Sequence, residues 1–184
     1  MRSRWDLPFV IVCGLVLGAI VHLIVVLRVP AMAQRDAFAR LSPITKGNSA
    51  QLVTGAVQPQ DMPLPDPAVA VAVCSFNLSK GPLRIAASAF PYLETLSFHQ
   101  RGGGVFYALT DRAAVRGSIE IMLMTQRQLD EQLAREDEDE IVRELRIVSP
   151  VQEGLVVARA LAPWPSQRKQ AEDAVRAVSC GRAT

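Results

Sequence analysis

The stretch Tyr107–Arg112, YALTDR, closes a strand-like run with a phenol, a hydroxyl, a carboxylate and a guanidinium. Polar groups gathered at a strand end sit at the rim of a sheet, where ligands dock. Tyr107, Thr110, Asp111 and Arg112 are therefore the candidate binding residues. The same residues also suit a turn, because Asp111 can accept hydrogen bonds from nearby backbone through its own carboxylate. Both readings stay open at this point.

Other chemistry-bearing residues are less organised. His99, Asp111 and a nearby serine are the ingredients of a hydrolytic triad, but the chain has no G-x-S-x-G elbow and nothing marks a nucleophile. The triplet Gly102-Gly103-Gly104 precedes no helix and no Lys-Ser/Thr pair, so it suits a hairpin turn and not a phosphate loop. The run Glu136-Asp137-Glu138-Asp139-Glu140 lacks the alternating oxygens and glycine turn of a calcium loop. It is expected to be a solvated acidic segment. Two cysteines and His99 at scattered positions show no metal-ligand spacing. No catalytic residue, metal or cofactor is assigned.

Of the three cysteines, Cys74 and Cys180 follow the apolar run described below. Two cysteines in an oxidising compartment suggest a disulfide; two buried free thiols are the alternative. A bridge would tie the last helix to the first strand. It would close a loop of about 105 residues, worth about 4–5 kcal/mol in the chain-entropy model.

These groups need positioning elements, and the first element is not part of a soluble core. Leu7–Leu27, LPFVIVCGLVLGAIVHLIVVL, is nearly unbroken apolar sequence. As a helix rising about 1.5 Å per residue it spans roughly 31 Å, the thickness of a bilayer's hydrocarbon core. Arg2 and Arg4 precede it and Arg28 closes it. The run exceeds the usual core of a cleaved signal, so an anchor is expected, although Ala31-Met32-Ala33 resembles a cleavage site. Cys13 lies mid-run and behaves as a small hydrophobe. His22 is close enough to Arg28 to tip toward the interface. Gly14 and Gly18 form a G-x-x-x-G pair, a candidate helix-packing face. A short tail before a long domain places the N-terminus in the cytoplasm and the C-terminal domain in the periplasm, with the span in the inner (plasma) membrane.

Charge excludes one class of partner. Three of the 20 Lys+Arg (Arg2, Arg4, Arg28) and one of the 18 Asp+Glu (Asp6) lie in the first 28 residues, leaving 17 of each sign beyond. A neutral domain with few aromatics lacks the footprint of a nucleic-acid binder.

The organisation expected is an N-terminal tail and transmembrane helix over 1–28, a juxtamembrane helix and Pro-rich linker over 29–67, and an exported β-rich domain over 68–184. Ala33–Leu41 suits a short amphipathic helix, and Gln51-Leu52-Val53 a short strand. Strands are predicted at Ala68–Phe76, Leu83–Ser88, Thr95–Gln100, Val105–Leu109, Ser118–Met124, Ile141–Val148 and Leu155–Ala160, by alternation and turn residues. Leu96 and Phe98 fall on one face, Ser97 and His99 on the other. Thr125 with Gln128 forms a capping box opening a helix whose Leu129 and Leu133 face inward. A second helix begins near Pro165-Ser166, with Ala171, Ala174, Val175 and Val178 inward and Gly181 as its stop. The class is α+β: a transmembrane helix followed by a mainly antiparallel sheet or small sandwich with two short helices.

Three stretches, DPAVAVAVCSFNLSKGPLRI (Asp66–Ile85), LSFHQRGGGVFYALTDRAA (Leu96–Ala114) and EGLVVARALAP (Glu153–Pro163), carry a further observation. Over most of the chain beyond the apolar run, the sequence resembles short single-pass bacterial membrane proteins of the DUF1254 family, a domain of unknown function. The resemblance implies one N-terminal span, a β-rich domain with a cysteine near each end, and a small sister membrane protein of the DUF1214 family as partner. It implies no reaction. The expected function is an envelope binding or interaction domain with the lipid bilayer and this sister protein as partners; an enzyme acting on an envelope substrate is the alternative.

Overall fold

In the computed structural model the described residues are 6–32, 36–45, 47–53, 66–135 and 144–182. The acidic run at 136–140, Arg2 and Arg4, and most of the Pro-rich stretch lie outside them. The chain forms two compact units, Met1–Gln34 and Arg35–Thr184.

The first unit is helix α1, Asp6–Met32. Its stretch Leu7–Val29 has a mean hydropathy of 3.0 and none of it is buried within the protein. An apolar helix of this length, left uncovered by its own chain, has the composition of a membrane span or of a signal sequence. Cys13 is an exposed free thiol. A Cβ added at Gly14 or Gly18 would meet nothing within 4 Å.

The second unit is a sandwich of two sheets. Its strands are β1 (Gln51–Leu52), β2 (Val69–Asn77), β3 (Leu83–Ser88), β4 (Glu94–Gln100), β5 (Val105–Thr110), β6 (Ser118–Met124), β7 (Leu145–Val148), β8 (Glu153–Leu161) and β9 (Ser179–Arg182). One sheet has the order β1-β2-β8-β4-β5 and the other β7-β6-β3-β9. The described ladders are antiparallel except for β6 with β7, which run parallel. Three helices complete the unit: α2 (Ala37–Leu41), α3 (Gln126–Leu133) and α4 (Arg168–Ala177). This is the α+β architecture the alternation predicted.

Period-two patterning decides the faces. Ala70, Ala72, Cys74 and Phe76 of β2, Leu96 and Phe98 of β4, and Val156, Ala158 and Ala160 of β8 point inward. They meet Ile85 of β3, Ile119, Ile121 and Leu123 of β6, and Cys180 of β9. The alanines of β2 and β8 leave room for α4, which packs against both strands and buries Ala171 and Val175. Phe98 and Phe76 both hold Phe106 at ring-centroid distances of 6.0 and 6.3 Å. Gly154 of β8 is required by a close approach: a Cβ there would lie 2.2 Å from the His99 carbonyl oxygen and 2.6 Å from the Phe76 ring.

The outer face of the five-stranded sheet carries a smaller apolar cluster. Leu41, Val73, Leu155 and Val157 are buried there with Phe38, Ile44, Val53 and Val71 packed against them. The segment 36–53 thus belongs to the fold of the second unit. Asp36 fastens it twice, accepting from Ala39 N–H at 2.8 Å as the cap of α2 and from Gly102 N–H at 2.8 Å in the β4–β5 hairpin. The Ala39 hydrogen bond foremost, helped by that of Gly102 and the charge of Arg101, holds the Asp36 carboxyl below its usual range, although burial, second in size, opposes them.

Cys74 and Cys180 are bonded, with Cα atoms 6.6 Å apart and 106 residues between them in sequence. The sequence-based expectation that the bridge ties the last helix to the first strand is corrected: Cys180 lies in a strand and not in a helix. Residues 179–182 leave α4 at Val178 and turn into β9, so the disulfide joins β2 of one sheet to β9 of the other. Gly181 accordingly lies within a strand and does not stop the helix. The capping box forms as predicted, Thr125 Oγ1 accepting from Gln128 N–H and Gln128 Oε1 from Thr125 N–H. Leu133, expected inward, is 54% exposed, at the last position of an α3 that has no buried residue.

Candidate functional site

Three connections gather at one end of the sandwich. Glu94 opens β4 opposite Ala160 near the end of β8, and Thr110 closes β5 opposite Thr95. The β3–β4 connection (89–93) is hydrogen-bonded to both its neighbours: Leu161 N–H donates to Leu93 O at 2.9 Å, and Ala89 N–H donates to Gly117 O at 2.8 Å. The β5–β6 connection ends in a two-residue hairpin in which Val115 and Ser118 exchange backbone hydrogen bonds. Its central residues, Arg116 and Gly117, have φ of 56° and 83°. Arginine in that conformation is strained. Leu93, Val115 and Trp164, all at this end, are exposed.

Within it, the four sequence-predicted residues separate. Thr110 Oγ1 accepts from Arg112 N–H at 3.4 Å and caps a short 3-10 turn, Asp111–Ala113. Thr110, Asp111 and Arg112 therefore share one turn. Tyr107 lies elsewhere: it pairs with inward-facing Phe98, its ring 6.2 Å away, whereas Thr110 pairs with Thr95 on the outer face.

Asp111 has a partner in charge that the sequence reading passed over. Glu94 is 1% exposed, and neither carboxylate oxygen has a hydrogen-bond partner among the described residues. Burial first, and the negative charge of Asp111 second, push its pKa from 4.5 up to about 7. The signal was present in strand parity. Glu94, Leu96 and Phe98 are two apart and share a face, so a strand begun one residue earlier places a carboxyl inside the sandwich.

A groove of about 580 Å³ at the same end is lined by Asp66–Ala68, Ala162, Pro163, Pro165, Arg168 and Glu172. Its charges are committed. Arg168 Nε meets Glu172 at 2.8 Å, and its NH1 donates to the carbonyls of Asp66, Pro67 and Val69. The arginine ties the entry of β2 to α4.

His99 lies on the outer face beside Ser97. Its Nε2 is 3.0 Å from Ser97 Oγ, and Arg159 NH1 donates to the same oxygen at 3.0 Å. A guanidinium only donates, so Ser97 Oγ accepts from Arg159 and its hydroxyl proton turns to His99 Nε2 or, at 3.4 Å, to Val157 O. Burial, then Arg159, hold His99 below the ordinary imidazole value, with a Gly103 backbone hydrogen bond opposing them. Asp111, which follows the last residue of β5, interacts instead with Glu94. The triad suggested by residue types is not assembled. Among the described residues no group of three or more potential metal ligands occurs.

The fold and these features define a disulfide-bonded two-sheet β domain following a membrane-length helix. No family model and no curated protein matches the chain. Its fold is similar to that of the VPA0106 protein from Vibrio parahaemolyticus, with a TM-score of 0.56 at 10% identity over 83% of this chain and 34% of that one. A crystal structure of an uncharacterized protein from Burkholderia cenocepacia aligns over 73% of this chain and 34% of that one at 10% identity, with a TM-score of 0.45. The chain thus spans about a third of the length of either protein. The likeness to the Vibrio protein is one of fold.

Proposed function

We propose that the protein is a single-pass anchored envelope protein whose periplasmic β domain binds an extended polypeptide along strand β5. The anchor reading is supported by α1, an apolar helix that its own chain leaves uncovered. An oxidising compartment is supported by the Cys74–Cys180 bridge, since such bonds persist outside the cytosol. With the short tail inside, the domain lies in the periplasm.

Strand β5 carries the binding reading. It closes one edge of its sheet, pairing with β4 and, among the described residues, with no strand on its other side. Natural edges are blunted with Lys, Pro or inward charges. Val105–Thr110, VFYALT, has none of these, its pairing with β4 shifts register once, between Phe98 and His99, and Val105 and Tyr107 are 55% and 39% exposed. An apolar six-residue edge with free backbone donors and acceptors is a template for strand addition. A photo-crosslinking residue in place of Val105, in native membranes, should give a discrete adduct absent when the same residue replaces Lys169 of α4. Equal labelling at both positions, or none, removes the reading. A DUF1214 sister protein in that adduct is the outcome implied by the family resemblance.

An enzyme is favoured by one observation, the proton-holding Glu94 beside Asp111. At 1% exposure that carboxyl is closed to a substrate, so the binding reading is preferred.

A further inference from the structure

We propose that the half of the outer face of the five-stranded sheet beyond the 36–53 segment, not covered by the described residues, is a site for an oxyanion, a carboxylate or phosphate group of a ligand, anchored by Arg159 with Ser97 and His99 beside it. The segment 36–53 covers the β2 side of this face through Leu41, Phe38 and Ile44. Beyond it, register places three residues in one row across the sheet: Arg159 opposite Thr95, and Thr95 opposite Thr110. The next row holds Ser97 opposite Ala108. Thr95, Thr110 and exposed Ala108 thus lie in the rows beside the exposed Arg159, while Ser97 is 7% exposed.

Arg159 is set up for an anion, unlike the arginines of this domain that already pair with a glutamate. Arg84, Arg101 and Arg168 each meet a glutamate within 4.0 Å, whereas Arg159 has no carboxylate within that distance among the described residues. Its one hydrogen bond among the described residues, to Ser97 Oγ, orients the fork and leaves most of its five N–H groups for a ligand. Carboxylate and phosphate oxygens match that geometry in pairs.

The serine and histidine make occupancy proton-linked. Without ligand, the Ser97 hydroxyl has His99 Nε2 as its nearer acceptor. A bound oxyanion is a stronger acceptor, and the hydroxyl can turn to it. Nε2 then loses its donor and is free to take a proton, which adds a second positive charge beside the anion. The remaining charged groups at the His99 end are satisfied elsewhere: Arg101 lies 3.6 Å from Glu153 and over the Phe38 ring, and Asp36 accepts from Gly102 N–H. Anion and proton therefore bind together, and by reciprocity each strengthens the other.

The chain has two histidines, His22 and His99, so full-length His22→Gln in detergent micelles gives one imidazole signal to follow by NMR. Titration with inorganic phosphate, and separately with acetate, should move the His99 resonance saturably where sodium chloride at equal ionic strength does not. The titration midpoint of His99 should rise by about half a pH unit, equivalent to about threefold tighter anion binding by the imidazolium form. Arg159→Gln should abolish the effect and Arg159→Lys should retain part of it. Nanodiscs containing phosphatidylglycerol, compared with phosphatidylcholine alone, separate a lipid headgroup from a soluble anion as the source. The proposal is overturned if neither soluble anion nor anionic nanodisc moves the signal, or if Arg159→Gln leaves the response intact.

Discussion

Replacing Glu94 with glutamine should change how the stability of the β domain depends on pH. The wild-type carboxyl titrates at about 7 in the folded protein against an ordinary 4.5. Its folded pKa is raised, so its contribution is fully present below pH 4.5 and is lost as pH rises toward 7. Over that window the unfolded chain releases a proton that the folded chain still holds. At 1.36 kcal/mol per pKa unit, the loss is about 2 kcal/mol by pH 6 and about 3 kcal/mol by pH 8. The cause is physical: both oxygens are buried without a hydrogen-bond partner among the described residues, and Asp111 adds a like charge nearby. Glutamine keeps the volume and cannot ionise. Urea unfolding of the full chain in micelles, with the disulfide intact, should therefore show Glu94→Gln gaining on wild type by about 2.5 kcal/mol between pH 5 and pH 8. Asp111→Asn should reproduce only a minor part of that gain, since burial is the larger cause. Parallel stability curves for wild type and Glu94→Gln would refute the reasoning, because they would mean that the carboxyl ionises in the folded state as easily as in the unfolded one.

Cys74→Ser with Cys180→Ser should lower stability by about 2–4 kcal/mol, and a non-reducing gel of the wild-type chain should show the faster-migrating oxidised form; two titratable thiols after isolation would contradict the bridge. Gly154→Ala drives a methyl into the His99 carbonyl and the Phe76 ring, so a loss of about 1–3 kcal/mol in a denaturation series is expected. Thr125→Ala removes one half of the capping box and should cost about 1 kcal/mol by the same measurement. A C-terminal alkaline phosphatase fusion should be active if the β domain lies in the periplasm; activity only of a cytosolic reporter at that position would reverse the orientation.

Much of this architecture follows from features that act locally. The alternation of Leu96 and Phe98 against Ser97 and His99, the glycine hairpin at 102–104 and the Thr125–Gln128 cap each depend on a few adjacent residues, and each is found as expected. What depends on non-local packing was hidden. Gly181 after an amphipathic run reads as a helix stop, yet 179–182 pair with β3 and become β9, which is why the disulfide crosses between sheets. The short helix and short strand expected within 36–53 are found, but their few apolar residues are scattered, and only β2 and β8 show what they cover. Leu145–Val148 gives no sign in its own residues that it will run parallel to β6.

The same distinction explains why Glu94 and Arg159 do not stand out from residue types alone. Residue types at a strand end drew attention to Asp111, but a short strand supplies two faces and two ends. Strand parity assigns a side chain to a face without saying whether that face is closed. Glu94 lies on the closed face and holds a proton; Arg159, on the open face, lacks a counter-ion among the described residues. One end of the domain therefore keeps a charge suppressed while the outer face keeps one available, and the edge strand β5 runs between them. A partner strand added along β5 would pass both the Asp111 turn and the Thr110–Thr95–Arg159 row. An acidic side chain on such a strand, placed to the outer face, is the simplest single group able to use the edge and the guanidinium together. Cross-linking at Val105 that weakens in Arg159→Gln would tie the two; cross-linking indifferent to Arg159 would keep them separate.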